Sequence, residues 1–519
     1  MPFPARRSVL RAGLVTGAAA LLPSVASPAM AGPGLVRSGR PELTHGIATG
    51  DPSSSGAVVW ARSSRTARMM VSLSRTPDFR RSVTVRGPVV TGASDYTGQV
   101  DVRFLLSGSR VYYRVRLEDP DRHGVHGASQ SGSFVTAPSR RQDIRFLWSG
   151  DMVGQGWGRN PDLDEIPIFA RMLARRPDFF LNSGDTIYAD GPLLPSVTLP
   201  DGRVWRNVVT TPKTKVAETL SEYRGQWAYN LLDPAVRRFY ASVPQIVQWD
   251  DHEVTNNWYP GEVLDDPRYT EQRVDVLATR ARRAFFEWMP LRRQRHDSLG
   301  RVYRKLSYGP LLDVFVLDMR TYKNANSANT SNVPDGGVLG LEQQRWLISS
   351  LLKSNARWKI VAADLPLGLV VPDGAAAQEG LAQGDPGAPL GRELQVASVL
   401  SALRRHNVRN VVWLTADVHY SAAHHYSPSR ATFTDFLPFW EFVSGPLNAG
   451  AFGPNALDAT FGPEAVFVHA PPAPNASPLE GFQHFGEVEI SGETADLTVH
   501  LRDQDGTALF SKTLKPERR

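Results

Sequence analysis

The amino-acid sequence predicts an α/β fold preceded by an all-β segment, and two patterns carry that prediction. Over residues 43–137 short apolar runs (AVVWAR, MMVSLS, SVTVRG, VDVRFLL, VYYRVRLE and GSFVTA) are separated by Gly, Ser, Pro and Asp at the spacing of a small β-sandwich. Beyond a polar, basic linker at 138–143, amphipathic helices alternate with apolar strands over residues 144–515. IPIFARMLARR places Ile168, Phe169, Met172 and Leu173 on one helical stripe and leads into the apolar run at 179–181. LEQQRWLISSLLKS and RELQVASVLSALRRH are amphipathic in the same way and also precede strands, which argues for helices covering sheets.

The chain opens with Arg6-Arg7-Ser8-Val9-Leu10-Arg11, an apolar stretch at 14–22 and the small-residue site Ala29-Met30-Ala31. This is the pattern of a twin-arginine signal peptide over residues 1–31, with cleavage expected after Ala31. The apolar stretch is far short of the roughly 20 residues a spanning helix needs. The reading implies the Tat translocase as a partner during export and a periplasmic or extracellular destination.

Of the formal charge of +6, Arg6, Arg7 and Arg11 supply three, leaving +3 on the mature chain, too mild a balance to argue for a stable nucleic-acid partner. A mass of 57.1 kDa is ample for two domains with their own cores. There is no cysteine, so disulfides and thiolate ligands are excluded.

The most informative stretch is DFFLNSGDTIYADG, residues 178–191. Its apolar run reads as a buried strand that ends at Ser183-Gly184 and delivers Asp185 and Tyr188 into the turn beyond, where a carboxylate and a phenol can reach one cation. The pattern of apolar strand followed by acid recurs at Asp151, at Asp250-Asp251, and at Asp318, Asp364 and Asp417. Two of these ends add an imidazole, His252 and His419. Hard carboxylates with borderline imidazoles are the ligand set of a hydrolytic metal centre.

SGDTIYADG, WDDHEVTNNW, LDMRTY and TADVHYS, in this order, resemble the PhoD-like alkaline phosphatases and phosphodiesterases of the metallophosphatase superfamily. THGIATGDP with GAVVWARSS is similar to the family's N-terminal domain, and FGEVEI to its final strands. The resemblance implies a four-layer α-β-β-α sandwich behind an immunoglobulin-like domain. It implies hydrolysis of phosphate mono- or diesters by a metal-bound hydroxide, with two or more metal ions, Fe3+ and Ca2+ foremost. Asp185 would bridge the ions and Tyr188 would favour trivalent iron, with Asp151, Asp417 and His419 completing that side or bridging to the second ion. Asp251 takes the place of the Asn in the superfamily's GNH block and would hold the second metal, with Asn257 as a neutral oxygen ligand. His252 falls where the family's substrate-facing His lies and would stabilise the transition state or protonate the leaving oxygen.

One departure stands out: many family members carry a cysteine in the first block, where this chain reads SGDMVGQGWG. An all-oxygen-and-nitrogen centre is harder and tolerates Mn2+ or Zn2+ as well. Arg320 is expected to hold Asp318 or a loop, Asp364 is open between a ligand and a strand-end cap, and Asp250 is unassigned.

TLPDGRVWRNVVTT, with Asp201-Gly202 as its turn, reads as a hairpin inserted after the metal motif, and residues 372–389 form a second candidate lid. Two other functions stay open at this level. One is a phospholipase D-like phosphodiesterase working at a lipid surface, although no amphipathic membrane-binding helix is evident. The other is an exported binding protein without catalysis.

Overall fold

The computed structural model describes residues 39–293, 300–333, 337–385 and 387–517, so the export segment expected over 1–31 lies outside the described residues. Seven strands come first: β1 (Leu43–Ser53), β2 (Gly56–Ser63), β3 (Ala67–Ser74), β4 (Ser82–Val90), β5 (Thr97–Val102), β6 (Arg110–Glu118) and β7 (Gln130–Val135). Alternate residues of β3 and β6, Met69, Val71, Tyr113 and Val115 among them, turn inward against Ala57, Val59 and Ala61 of β2 to fill the space between two sheets. VDVRFLL is shorter as a strand than its apolar run implied. β5 stops at Val102, and Phe104 takes a left-handed backbone (φ 64°) that leaves its ring 97 % exposed.

The α/β part begins with β8 (Ile144–Ser149), α1 (Pro167–Ala174) and β9 (Phe179–Asn182), a strand-helix-strand unit with β8 and β9 parallel. The inserted hairpin β10 (Ser196–Thr198) and β11 (Val204–Arg206) follows as expected, then α2 (Leu220–Asn230), α3 (Pro234–Ser242), β12 (Gln245–Val247) and α4 (Val274–Trp288). A second sheet is built from β13 (Arg304–Tyr308), β14 (Leu312–Val316), α5 (Gly340–Leu352) and β15 (Trp358–Ala362). The small hairpin β16 (Pro372–Asp373) and β17 (Ala377–Gln378) comes next, followed by α6 (Glu393–Arg405), β18 (Val411–Thr415), β19 (Ser421–Tyr426), β20 (Phe439–Val443) and β21 (Pro463–His469). The chain then returns to the first sheet through β22 (His484–Ile490), β23 (Leu497–Asp503) and β24 (Ala508–Leu514).

The first sheet has nine strands in the order β24-β23-β22-β8-β9-β12-β1-β2-β5, and the second has seven, β13-β14-β15-β18-β20-β19-β21. β1 runs parallel to β12, with Gly50 opposite Gln245, so β1, β2 and β5 of the N-terminal segment extend the sheet that carries half of the site. Hydrogen bonding thus crosses the linker that the sequence places at 138–143.

Side-chain alternation produces the layers. Phe146, Trp148, Phe179, Leu181 and Ile246 of the first sheet meet Val314, Val316, Ile360, Ala362, Val412 and Leu414 of the second in one apolar layer. Their neighbours point the other way: Leu147, Phe180 and Val247 pack under α1 to α4, and Phe315, Val361 and Trp413 under α5 and α6. This is a four-layer α-β-β-α sandwich. Each fully buried side chain of this size contributes about 1.5–3 kcal/mol. Among the described residues no helix is long and apolar enough to cross a membrane.

Candidate metal centre

The parallel strands of both sheets end on the same side, and six of those ends carry an acid. Asp151 follows β8, Asp185 follows β9, and Asp250 and Asp251 follow β12; Asp318, Asp364 and Asp417 follow β14, β15 and β18. The backbone bends sharply at these ends: Asp151 (φ 58°), Asp185 (φ 48°), Asp417 (φ 66°), His419 (φ 60°) and Asn257 (φ 56°) are all left-handed. Non-glycine residues adopt this region at a cost, and such positions gather where side chains must be aimed. Gly184 (φ 95°) lies so close to Asp250 that any Cβ would collide with it, which lets the turns after β9 and β12 touch.

Side-chain oxygens and nitrogens converge in three clusters, each spanning less than 4.8 Å: Asp151, Asp185 and His419; Asp185, Asp251 and His252; Asp250, Asp251 and Asp417. Asp185 and Asp251 each belong to two of them. The Tyr188 hydroxyl lies 2.9 Å from Nε2 of His419, and that Nε2 is 3.5 Å from Asp151 Oδ1. Nδ1 of His419 donates to the Gly450 carbonyl, which turns Nε2 toward the acids. His252 stacks on Tyr188 with ring centroids 4.2 Å apart, donates from Nδ1 to Asp190 Oδ1 at 2.8 Å, and leaves Nε2 4.0 Å from Asp185 Oδ2. Asn257 donates its backbone N–H to Asp251 Oδ2 and its side-chain N–H to Asp373 on the β16–β17 hairpin.

The electrostatics fit a cation. Burial, reinforced by Asp250, pushes the Asp151 carboxyl well above the usual carboxylate range. Burial and then Asp251 act likewise on Asp185, and burial and then Asp250 on Asp417. Both oxygens of Asp151 are buried without a hydrogen-bond partner, an arrangement that is costly unless a positive charge meets them. Burial lowers the His419 imidazole to about 4, leaving it neutral, with Nε2 an acceptor facing the Tyr188 hydroxyl. Burial, then the Asp185 charge, pushes the Tyr188 phenol well up, so it ionises only against a cation. The oxygen and nitrogen donors present therefore suit a pair of hard or borderline ions.

Four neighbours did not stand out in the sequence. Asp190 orients His252. Glu253 accepts the backbone N–H groups of Asp185 and Asp250 on one oxygen and that of Thr186 on the other, stapling the two turns together. Lys213, fully buried, donates to the Tyr188 carbonyl at 3.2 Å. Glu379 closes on Arg320. Asp190 and Glu253 lay inside the quoted motifs, and the signal was their acidity beside a ligand; nothing local marks Lys213 or Glu379.

Asp318 accepts the Trp249 indole N–H at 3.0 Å and the backbone N–H of Arg320, while Asp364 takes the Arg320 guanidinium at 3.2 Å, so both support the centre from behind. Of the two roles expected for Arg320, the hold on Asp318 runs through its backbone N–H alone, while its guanidinium reaches Glu379 in the 372–389 loop and also serves Asp250, Asp364 and Asp417.

Two facing sheets between helix layers, with carboxylates and imidazoles gathered at their strand ends, define a metallophosphatase-type hydrolase. Residues 146–501 match the family model of the PhoD-like phosphatase, and residues 28–138 match that of its N-terminal domain. The chain belongs to the PhoD-like phosphatase family and is a phosphoric ester hydrolase. It is 26% identical over 435 residues to alkaline phosphatase D of Bacillus subtilis (strain 168), covering 79% of this chain and 70% of that protein. Its fold is similar to a solved structure of PhoD, with a TM-score of 0.70 at 22% identity over 92% of this chain and 90% of that one. It is also similar to the purple acid phosphatase PPD1 from yellow lupin seeds, with a TM-score of 0.55 at 12% identity over 92% and 74% of the two chains.

Proposed function

We propose that the protein is an exported, metal-dependent alkaline phosphatase acting on phosphate mono- and diesters, carried out by the twin-arginine route. The observation that supports this best is the buried convergence of Asp151, Asp185, Asp251, His252 and His419, with Asp151 lacking any other partner. Asp151, Asp185, Tyr188 and His419 would hold one ion, iron foremost, and Asp185 and Asp251 a second, calcium foremost, with Asn257 and Asp417 beside it. Bound there, a metal pair supplies Lewis acidity that neutralises phosphoryl charge and acidifies a water.

The chain's own residues supply positioning and the proton. Burial opposes protonation of His252, but the charges of Asp190 and Asp251 outweigh it and raise the ring to about 9, so it carries a proton through neutral and mildly alkaline pH. With Nδ1 fixed on Asp190, the proton available to a leaving oxygen is the one on Nε2. The Tyr188 ring stacked on the imidazole holds its plane. Glu253 keeps the backbones of Asp185 and Asp250 in register, so the two turns act as one rigid edge.

The test is metal analysis of the folded, purified protein together with turnover of p-nitrophenyl phosphate and bis-p-nitrophenyl phosphate. Iron with calcium and turnover of either ester is the expected result. A protein that binds no ion and hydrolyses neither ester after addition of iron, calcium, manganese or zinc would end this reading.

A further inference from the structure

Away from the metal centre, the 372–389 loop, the first turn of α6 and the stretch before β21 meet at a buried polar site. They contribute Gln383, Glu393, Asp458 and Thr460, none of them more than 9 % exposed and none a member of the three acid clusters. Asp458 holds the segments together: its Oδ2 accepts the backbone N–H of Gly384 at 2.8 Å and its Oδ1 that of Thr460 at 2.7 Å. Glu393 opens α6, and its Oε2 accepts the backbone N–H of Leu390 at 3.2 Å. Its carboxyl faces the Asp458 charge and lies beside the Gln383 amide and the Thr460 hydroxyl.

The site is short of positive charge and of donors. Oε1 of Glu393, Oγ1 of Thr460 and both amide atoms of Gln383 are buried without a hydrogen-bond partner. The adjacent Arg392 directs its guanidinium to Asn324, Asn326 and the carbonyls of Gln378, Glu379 and Gly380. Burial, reinforced by the Asp458 charge, raises the Glu393 carboxyl to about 8. A proton on Glu393 would answer that repulsion but could serve only one other oxygen. A water would reach several oxygens and leave the charge of the two carboxylates unanswered. A divalent cation does both.

We propose that Gln383, Glu393, Asp458 and Thr460 form a structural site for a hard divalent cation of the size of Ca2+, separate from the metal centre. Two carboxylates, an amide oxygen and a hydroxyl are the mixed oxygen donors that Ca2+ accepts with loose geometry. The ion ties the 372–389 loop to α6 and to the 458–460 segment. That loop also carries Asp373, which meets Asn257, and Glu379, which meets Arg320, so the ion steadies from outside a loop that borders the metal centre. The inference stands apart from the reading of that centre, because the two share no residue.

The test counts calcium in full-length wild type, Glu393→Gln and Thr460→Val, with Asp251→Asn as a control inside the centre. Each protein is loaded with Ca2+, dialysed against metal-free buffer, analysed for metals by mass spectrometry and titrated calorimetrically. Wild type and Asp251→Asn are both expected to hold one equivalent of calcium that Glu393→Gln lacks, with ester turnover of Glu393→Gln unchanged. Thr460→Val is expected to bind that calcium roughly tenfold more weakly. Wild type should melt above Glu393→Gln in Ca2+ and below it in chelator, where the glutamine only removes a carboxyl facing Asp458. A Glu393→Gln protein with the wild-type calcium count, or calcium lost entirely with Asp251→Asn, overturns the assignment. Should Glu393→Gln fail to fold, the calcium affinity of Thr460→Val decides, a weakening in support and no change against. A wild type that keeps this calcium but hydrolyses no ester would end the proposed function and leave the site standing.

Discussion

Nδ1 of His252 donates to Oδ1 of Asp190 across 2.8 Å, and the other oxygen of Asp190 accepts the backbone N–H of Asn256 at 3.0 Å. The carboxylate is therefore fixed from one side and fixes the ring from the other, which keeps Nε2 turned toward the acids, 4.0 Å from Asp185 Oδ2.

Asp190→Asn should then lower kcat by roughly 10²-fold, because an amide holds the ring less firmly and removes the charge that keeps it protonated. His252→Ala should lose at least as much, with KM and metal content close to wild type. Steady-state kinetics with matched metal analysis would check both, and wild-type turnover in either variant would remove the dyad from the mechanism.

Gly445 packs against Asp151, and a Cβ there would overlap Asp151 Oδ2. Gly445→Ala should displace that carboxylate and weaken the ion shared by Asp151, Asp185, Tyr188 and His419 while leaving the fold intact. The expected readout is loss of about one equivalent of metal on dialysis against chelator at a concentration the wild type survives. Unchanged retention would mean that Asp151 does not hold an ion.

Asp178 precedes β9 at the end remote from the acids, and its Oδ2 accepts the backbone N–H of Arg145 at 2.9 Å. Burial raises its carboxyl from 3.8 to about 6. A carboxyl whose folded pKa lies above its unfolded value stabilises the fold when protonated; that contribution is full below pH 3.8 and lost as pH rises through about 6. Asp178→Asn keeps an acceptor and removes the buried charge. It should match the wild type in acid and exceed it by of order 1 kcal/mol above neutrality. Urea melts at both pH values settle the sign, and a variant less stable than wild type at alkaline pH contradicts it.

Asp373 on the β16–β17 hairpin accepts from Asn257 at 2.9 Å and from Asn326 at 2.8 Å, and Asn326 also donates to the Asn257 carbonyl. Cutting this tie with Asp373→Ala should free the hairpin beside Asp251 and change the ratio of diester to monoester turnover about 2- to 10-fold, the worth of a net hydrogen bond. An unaltered ratio would leave the hairpin as a passive surface turn.

Much of this architecture is legible in the sequence because it rests on local patterns. An apolar run that ends in Gly-Asp, Ala-Asp or Trp-Asp-Asp marks both a strand and the place where it stops, so Asp151, Asp185, Asp251 and Asp417 could be read without coordinates. The helices α1, α5 and α6 present apolar stripes and were equally plain. α2 was not, because its buried side includes Gln226 and Asn230 beside Tyr223 and Trp227, which erases the apolar period. Its Thr219 and Glu222 capping box was the signal that remained.

Partnerships are harder to read than positions. Which strand-end acid faces a metal and which faces Arg320 depends on how the second sheet is stacked on the first, and no local pattern encodes that. Phe104 shows the converse error: an apolar residue in an apolar run lies outside the strand because its backbone turns left-handed.

Tyr188 and His419 stand 231 positions apart in the chain and belong to turns of different sheets, yet they meet at 2.9 Å. The unfolded polypeptide has no such site, so any ion bound there binds the native state alone. Ligand binding of that kind adds about 4 kcal/mol of stability when the free ion is a thousandfold above its dissociation constant. The ion is then a fastener between the two sheets, and the melting temperature followed against free-ion concentration measures its affinity without any substrate.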